Sequence, residues 1–212
     1  MEIKQNSSLQ LCNMNDSEYH VKVLVIGDPL IGKTNFITSF IDYNTSYETL
    51  FGYNKSLQVN YSSKVLSDLH SRPGDTFKFH IWEISDYDEN GELIRTYIEN
   101  TQIILLCFSL KNPDSLDSLK YWLYEKNNNI KYLLIGLKSN FNNKINNNEV
   151  QDFYKSYKLD YYEFKDIQCG VSHNIYLPFT KFLNDIYPKN DVIIVRQNTS
   201  MINNIISYCT IL

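Results

Sequence analysis

Residues 21–26, Val-Lys-Val-Leu-Val-Ile, form a mostly apolar, β-branched run that stops at Gly27, the pattern of a strand buried on both faces. Beyond Gly27–Thr34, the side chains of Phe36, Ile37, Phe40 and Ile41 recur at helical spacing, so a short helix follows. Leu57, Val59 and Tyr61, then Phe77, Phe79 and Ile81 alternating with Lys78 and His80, have strand period and are expected to pair as a hairpin. Its connection is expected over about residues 62–75, where Arg72-Pro73-Gly74-Asp75 reads as a turn. Ile103–Phe108 is a further buried strand, and Asn112-Pro113 offers an N-cap and a first-turn proline for a helix through about Lys126. Tyr132–Leu137 reads as another buried strand, residues 140–148 as an asparagine-rich solvated loop, 149–157 as a helix and 161–164 as a strand. A last helix holds Phe179, Phe182, Leu183 and Ile186, and Pro178 sets its start near Leu177. Strands alternating with helices imply an α/β fold whose mostly parallel sheet is covered on both faces.

Composition narrows the function classes. The 212 residues, 43% hydrophobic and 21% charged, fit a folded globular chain of one domain with extra segments. Twenty basic against twenty-four acidic residues leave a charge of -4, without the basic stripe that a nucleic-acid partner requires. Cys12, Cys107, Cys169 and Cys209 form no CxxC pair, which points to a reducing compartment and away from zinc or a disulfide framework. The polar first twenty residues, with Glu2 after Met1, predict no signal peptide or N-myristoylation and hence synthesis in the cytosol. No apolar run is long enough for a spanning helix.

The chemistry concentrates in Gly27-Asp28-Pro29-Leu30-Ile31-Gly32-Lys33-Thr34, which fits GxxxxGK[ST] between a buried strand and a helix start. Glycines let the backbone wrap a phosphate, successive N–H groups point inward, and the helix dipole adds about half a positive charge there. The candidate phosphate-binding residues are Gly27, Asp28, Leu30, Ile31, Gly32, Lys33, Thr34 and Asn35. Lys33 can reach the β- and γ-phosphates, and the Thr34 hydroxyl can ligate Mg²⁺. The plainer alternative is a glycine-containing strand-to-helix turn with an exposed lysine. Pro29 removes one N–H, and Leu30 disfavours positive φ, which predicts a stiffer loop with fewer donors.

Trp82, then Cys107-Phe108-Ser109 and Asn112-Pro113-Asp114-Ser115-Leu116, resemble the Rho-type small GTPases, above all in the run IILLCFSLKNPDSLDSL. The resemblance covers about residues 20–187 and the last four. It implies a Ras-like P-loop G domain over 21–187, with a six-stranded, mostly parallel sheet and helices on both faces. A flexible extension, 1–20, would precede it and a variable tail, 188–212, follow. It also implies Mg²⁺ and GTP or GDP as cofactors, and a guanine-nucleotide switch that meets effectors and regulators through residues about 45–56 and 83–95. Actin cytoskeleton control is the role such proteins suggest.

Several positions depart from the family pattern. Where the family reads Asp-Thr-Ala-Gly-Gln after the tryptophan, this chain reads Glu83-Ile84-Ser85-Asp86-Tyr87. The resemblance gives Glu83 the Mg²⁺ water shell, one methylene longer than aspartate. Asp86 replaces a glycine whose N–H meets the γ-phosphate; at 4 Å and an effective dielectric near 20, its charge would repel that anion by about 4 kcal/mol. Tyr87 stands in place of the glutamine that orients water, so hydrolysis is expected to be slow and no catalytic residue is assigned. An ordinary polar loop after a strand is the alternative for both. Thr49 aligns with the switch I threonine that closes over the metal, in a loop three residues short; Tyr43 and Tyr47 either pack on the base or ribose or lie on the surface.

The base-reading motif appears as Leu137-Lys138-Ser139-Asn140, leaving Lys138 and Asn140 as base-binding candidates with blurred guanine preference. Phe164-Lys165-Asp166 lacks the small residues of the later base loop. Cys209-Thr210-Ile211-Leu212 fits a C-a-a-X signal for geranylgeranyl, which predicts attachment to the cytoplasmic face of a membrane, the plasma membrane by resemblance. Two function classes therefore stand: a membrane-tethered GTP switch, or a pseudo-GTPase scaffold that keeps the fold and phosphate loop without turnover. A P-loop kinase or ATPase leaves the tail and the Rho-like core unexplained.

Overall fold

The computed structural model describes residues 17–42, 51–54, 59–69, 72–84, 96–124, 126–138, 145–165 and 173–188. In chain order these form β1 (Ser17–Ile26), α1 (Lys33–Asp42), β2 (Phe51–Asn54), β3 (Val59–Leu69), β4 (Arg72–Ile84), β5 (Ile103–Ser109), α2 (Asp114–Asp117) and α3 (Leu119–Leu123). After these come β6 (Lys131–Lys138), α4 (Asn147–Ser156), β7 (Asp160–Lys165), a 3₁₀ turn (His173–Tyr176), α5 (Leu177–Thr180) and α6 (Leu183–Ile186).

One sheet joins all strands in the order β2-β3-β4-β1-β5-β6-β7. The six expected strands are present, and Phe51–Asn54 adds a seventh at the edge, antiparallel to β3. β1 runs parallel to both β4 and β5, and the chain goes from β1 to β2 on one side of the sheet but from β5 to β6 on the other, a switch point at which ligands collect beyond the carboxyl ends of strands. The odd positions Val21, Val23 and Val25 of β1 pack with Phe36 and Phe40 of α1 and with Phe179 and Leu183. The even positions Leu24 and Ile26 pack beneath Leu116, Leu119, Leu123, Val150 and Phe153. Alternation along buried strands thus builds two cores, one on each face.

Three expectations need correction. β1 begins at Ser17, so residues 17–20 belong to the sheet and not to an extension; Ser17–His20 pair with Asp75–Lys78. The hairpin strands run on to Leu69 and Arg72, and Arg72-Pro73-Gly74-Asp75 is no turn. Ser67 pairs with Thr76 and Leu69 with Arg72, so the three residues 73–75 stand opposite residue 68 alone, a bulge that accommodates both proline and a Gly74 at φ +80°. The helix expected through Lys126 is two short segments, because Tyr121 N–H bonds back to Ser118 and Tyr124 N–H to Tyr121 at i→i+3 spacing. Within the Asn112–Ser115 run, Ser115 is fully buried; its hydroxyl donates to Asn112 O at 2.6 Å and accepts from Ser109 N–H at 2.9 Å, tying β5 to α2.

Candidate nucleotide-binding site

Gly27 follows the last residue of β1 and Lys33 opens α1, so the glycine-rich segment bridges the end of a central strand and a helix N-terminus. The first turn of α1 leaves its leading N–H groups without partners inside the helix. Gly27 has φ +152°, and a Cβ there would meet the carbonyl oxygen of Cys107 at 2.2 Å, so no other residue fits without moving β5. Gly32, at φ +103°, has room for a Cβ, with Leu137 Cδ1 the nearest atom at 4.0 Å, and is held to glycine by its backbone. Leu30 adopts φ +61°, the left-handed conformation that its side chain disfavours by roughly 1 kcal/mol, and is fully exposed. The loop therefore takes its shape despite Leu30, whose side chain stays clear of the interior.

The Lys33 side chain is 2% exposed and folds across the loop, donating to the carbonyls of Gly27 at 2.8 Å and Asp28 at 2.6 Å. Asp28 points its Oδ2 toward Ser118 Oγ, 3.2 Å away, which links the loop to the turn between α2 and α3. Thr34 and Asn35 face solvent, Ile31 is half-buried, and Thr34 Oγ1 donates to Glu83 Oε1 at 2.7 Å. Glu83, near the end of β4, is paired with Val25 of β1 in register, which brings its carboxylate to the loop. A hydroxyl and a carboxylate this close, beside a buried lysine, are a hard oxygen donor set of the kind that suits Mg²⁺ together with phosphate oxygens. Among the described residues no group of three or more His, Cys, Asp or Glu side chains gathers for a metal.

Cys107 lies fully buried under this loop, and burial pushes its thiol up to about 12, with Lys33 acting downward and Glu83 upward. Leu137, where the base motif of the family has asparagine, is buried in the core shared with α1, and its Cδ1 would lie 4.0 Å from a Cβ at Gly32. The position thus packs against the loop with methyl groups in place of hydrogen bonds. Lys138 closes β6 at the same carboxyl edge of the sheet. Thr49, Asp86, Tyr87, Asn140 and Cys209, with Tyr43 and Tyr47, lie outside the described residues. A surface hollow of about 590 Å³ lies elsewhere, between α2 and α4, but its wall of Asp114, Asp117, Glu149 and Asp152 does not suit a phosphate. Asn60 and Ser118 escaped the sequence reading; only the hairpin register, which sets Asn60 across from Glu83, could have signalled the first.

Residues 22–187 match the model of the Ras family. The chain belongs to the Ras family. This small GTP-binding protein is 27% identical over 126 residues to the Ras-related protein RabV of Dictyostelium discoideum, covering 56% of this chain and half the length of RabV. It is 23% identical to Rab-11A of the same organism, over 82% of this chain and 79% of that protein. To Rab-5B of Plasmodium falciparum it is 23% identical, over 91% of this chain and 90% of that protein. These relatives carry Rab names, and the Rho-type resemblance of residues 82–116 finds no support among them. Members of the superfamily generally bind GTP or GDP with Mg²⁺. Among the described residues no helix is long and apolar enough to cross a membrane.

Proposed function

We propose that this protein is a Rab-like guanine-nucleotide switch with slow turnover. The observation that carries the reading is the triad of Lys33, Thr34 and Glu83 around the head of α1, on a chain of the Ras family. In this reading Lys33 leaves the carbonyls of Gly27 and Asp28 to meet the β- and γ-phosphates, and the first N–H groups of α1 take phosphate oxygens. The Thr34 hydroxyl ligates the metal, and Glu83 orders the waters around it. Thr34 and Glu83 would hold Mg²⁺ there, and the ion would supply positive charge that offsets the charge of the phosphates. Lys138 lays its methylenes along the base and Asn140 faces its edge, Thr49 closes over the metal, and effectors and regulators meet the segments about 45–56 and 83–95. Tyr87, where the family places a glutamine, makes hydrolysis slow. Geranylgeranylation of Cys209 tethers the protein to the cytoplasmic face of a membrane; a mass increase on that residue in protein from eukaryotic cells is the check.

A second reading, a scaffold that keeps the fold without nucleotide selectivity, is favoured by one observation: the base-motif position Leu137 is committed to the apolar core. One experiment separates the two. Purified protein is denatured, the released nucleotide identified by chromatography, and phosphate production followed from added GTP. Guanine nucleotide with slow turnover is expected. Protein free of nucleotide, with no thermal shift in Mg²⁺-GTP, would leave the scaffold.

A further inference from the structure

The carboxylate of Glu83 is held from two sides. Thr34 Oγ1 donates to Oε1 at 2.7 Å, and Asn60 Nδ2 donates to Oε2 at 2.9 Å. Asn60 lies directly opposite Glu83 in the antiparallel β3–β4 pairing, so the sheet itself fixes the distance between the two backbones. Glu83 is 2% exposed, which leaves little water to replace a lost donor.

A glutamate carries one more rotatable bond than the aspartate that the resemblance places here, so its oxygens sweep a larger volume unless a group outside the metal site holds one of them. The amide of Asn60 does this while remaining neutral, so the carboxylate keeps its full charge for a cation and its waters. The two oxygens then divide the work, with Oε2 anchoring the side chain to the sheet and Oε1 facing the threonine in the first turn of the phosphate-binding helix.

We propose that Asn60 is the positioning residue of the metal site, fixing the longer carboxylate of Glu83 in the place from which it serves Thr34 and the Mg²⁺ water shell. The proposal rests on the nucleotide reading above. Asn60 acts through Glu83 and touches neither nucleotide nor metal.

Asn60→Leu removes the donor while keeping the number and branching of the side-chain heavy atoms, and Asn60→Ala provides a second, smaller variant should the bulkier leucine not fold. The chain is loaded with N-methylanthraniloyl-GDP, and release is followed across a Mg²⁺ titration and in EDTA. The Mg²⁺ concentration for half-maximal retention is expected to rise roughly 10- to 100-fold in the variants, with release in EDTA within about twofold of the unaltered chain. In a Glu83→Gln background, Asn60→Leu is expected to shift the Mg²⁺ dependence no further. An unchanged Mg²⁺ dependence, equal acceleration in Mg²⁺ and EDTA, or a second tenfold shift in the Glu83→Gln background would each overturn the role of Asn60 while leaving the nucleotide reading intact. An unaltered chain that retains no nucleotide at all would remove that reading and this proposal together.

Discussion

Helix α1 has a buried lysine at each end, and the helix acts on the two in opposite ways. Lys33 lies at the N-terminus and bonds to the carbonyls of Gly27 and Asp28. Lys64 reaches in from β3, 5% exposed, to the C-terminus, where it donates to Phe40 O at 2.6 Å, Ile41 O at 2.9 Å and Tyr176 Oη at 3.3 Å. Its ammonium also stands 5.2 Å from the ring centres of Phe40 and Tyr176. Backbone carbonyls satisfy both cations, so hydrogen bonding does not distinguish them. The helix dipole does: it favours a cation at the C-terminus by about 0.3–1 kcal/mol, and opposes one at the N-terminus. Lys64 is therefore placed where the helix dipole favours its charge, whereas Lys33 is placed where the dipole opposes its charge and favours an incoming anion. A buried cation set against the local field marks a binding site; one aligned with the field marks a brace.

Replacing the brace is expected to have the largest effect on the fold. Lys64→Met removes the buried donor from the carbonyls of Phe40 and Ile41 and should lower the unfolding free energy by on the order of 3 kcal/mol, read by urea denaturation, with nucleotide affinity for the folded protein kept. Lys33→Ala should act chiefly on binding. Affinity for Mg²⁺-GDP should fall roughly tenfold to a hundredfold, while nucleotide-free stability falls by less than in Lys64→Met, because the carbonyls that lose their donor belong to the half-buried Gly27 and Asp28 and the dipole no longer opposes a cation there. Equal losses of stability in the two variants would erase the distinction.

A smaller effect sharpens it at alkaline pH. The Cys107 thiol ionises from 9.0 in the unfolded chain but only near about 12 in the fold, chiefly through burial. The unfolded state thus loses its proton first, and the stability that the neutral thiol contributes below pH 9.0 is lost as pH rises toward about 12. Cys107→Ala should flatten this alkaline slope, and Lys33→Ala should extend it to higher pH, because Lys33 draws the thiol down. The smallest effect lies on the acid side and involves neither lysine. Burial, then His20 and Lys78, hold His80 below its ordinary value of 6.5. The unfolded chain takes up that proton at higher pH than the fold does, so stability present above 6.5 declines as pH falls through the lowered value. The urea midpoint of His80→Gln between pH 7.5 and 5.5 should vary less than that of the unaltered chain.

The phosphate loop was legible in the sequence because its eight residues are consecutive, and their chemistry does not depend on what lies across the sheet. The two cores were legible for a similar reason, since alternation in β1 and helical spacing in α1 are local patterns. What required the fold was pairing. Asn60 is an ordinary polar residue in an alternating run until the register sets it against Glu83. Arg72-Pro73-Gly74-Asp75 has the composition of a turn, yet Arg72 is 1% exposed, bonds to Asp75 Oδ2 at 2.6 Å and reaches the carbonyl of Tyr187, which binds the far end of the hairpin to the end of the last helix. Local turn chemistry gave way there to a long-range anchor that no window of neighbouring residues contains.

The phosphate loop also sets limits on how this sequence can drift. Its unusual residues, Pro29 and Leu30, are both exposed, where a change meets only water. Gly27 presses on the Cys107 carbonyl, so one added methyl group would have to displace a neighbouring strand. Inherited variation can therefore accumulate along the wet rim of the loop while its floor stays frozen, and a descendant of this chain could come to look unfamiliar in the middle of its signature long before it lost the ability to fold around an anion.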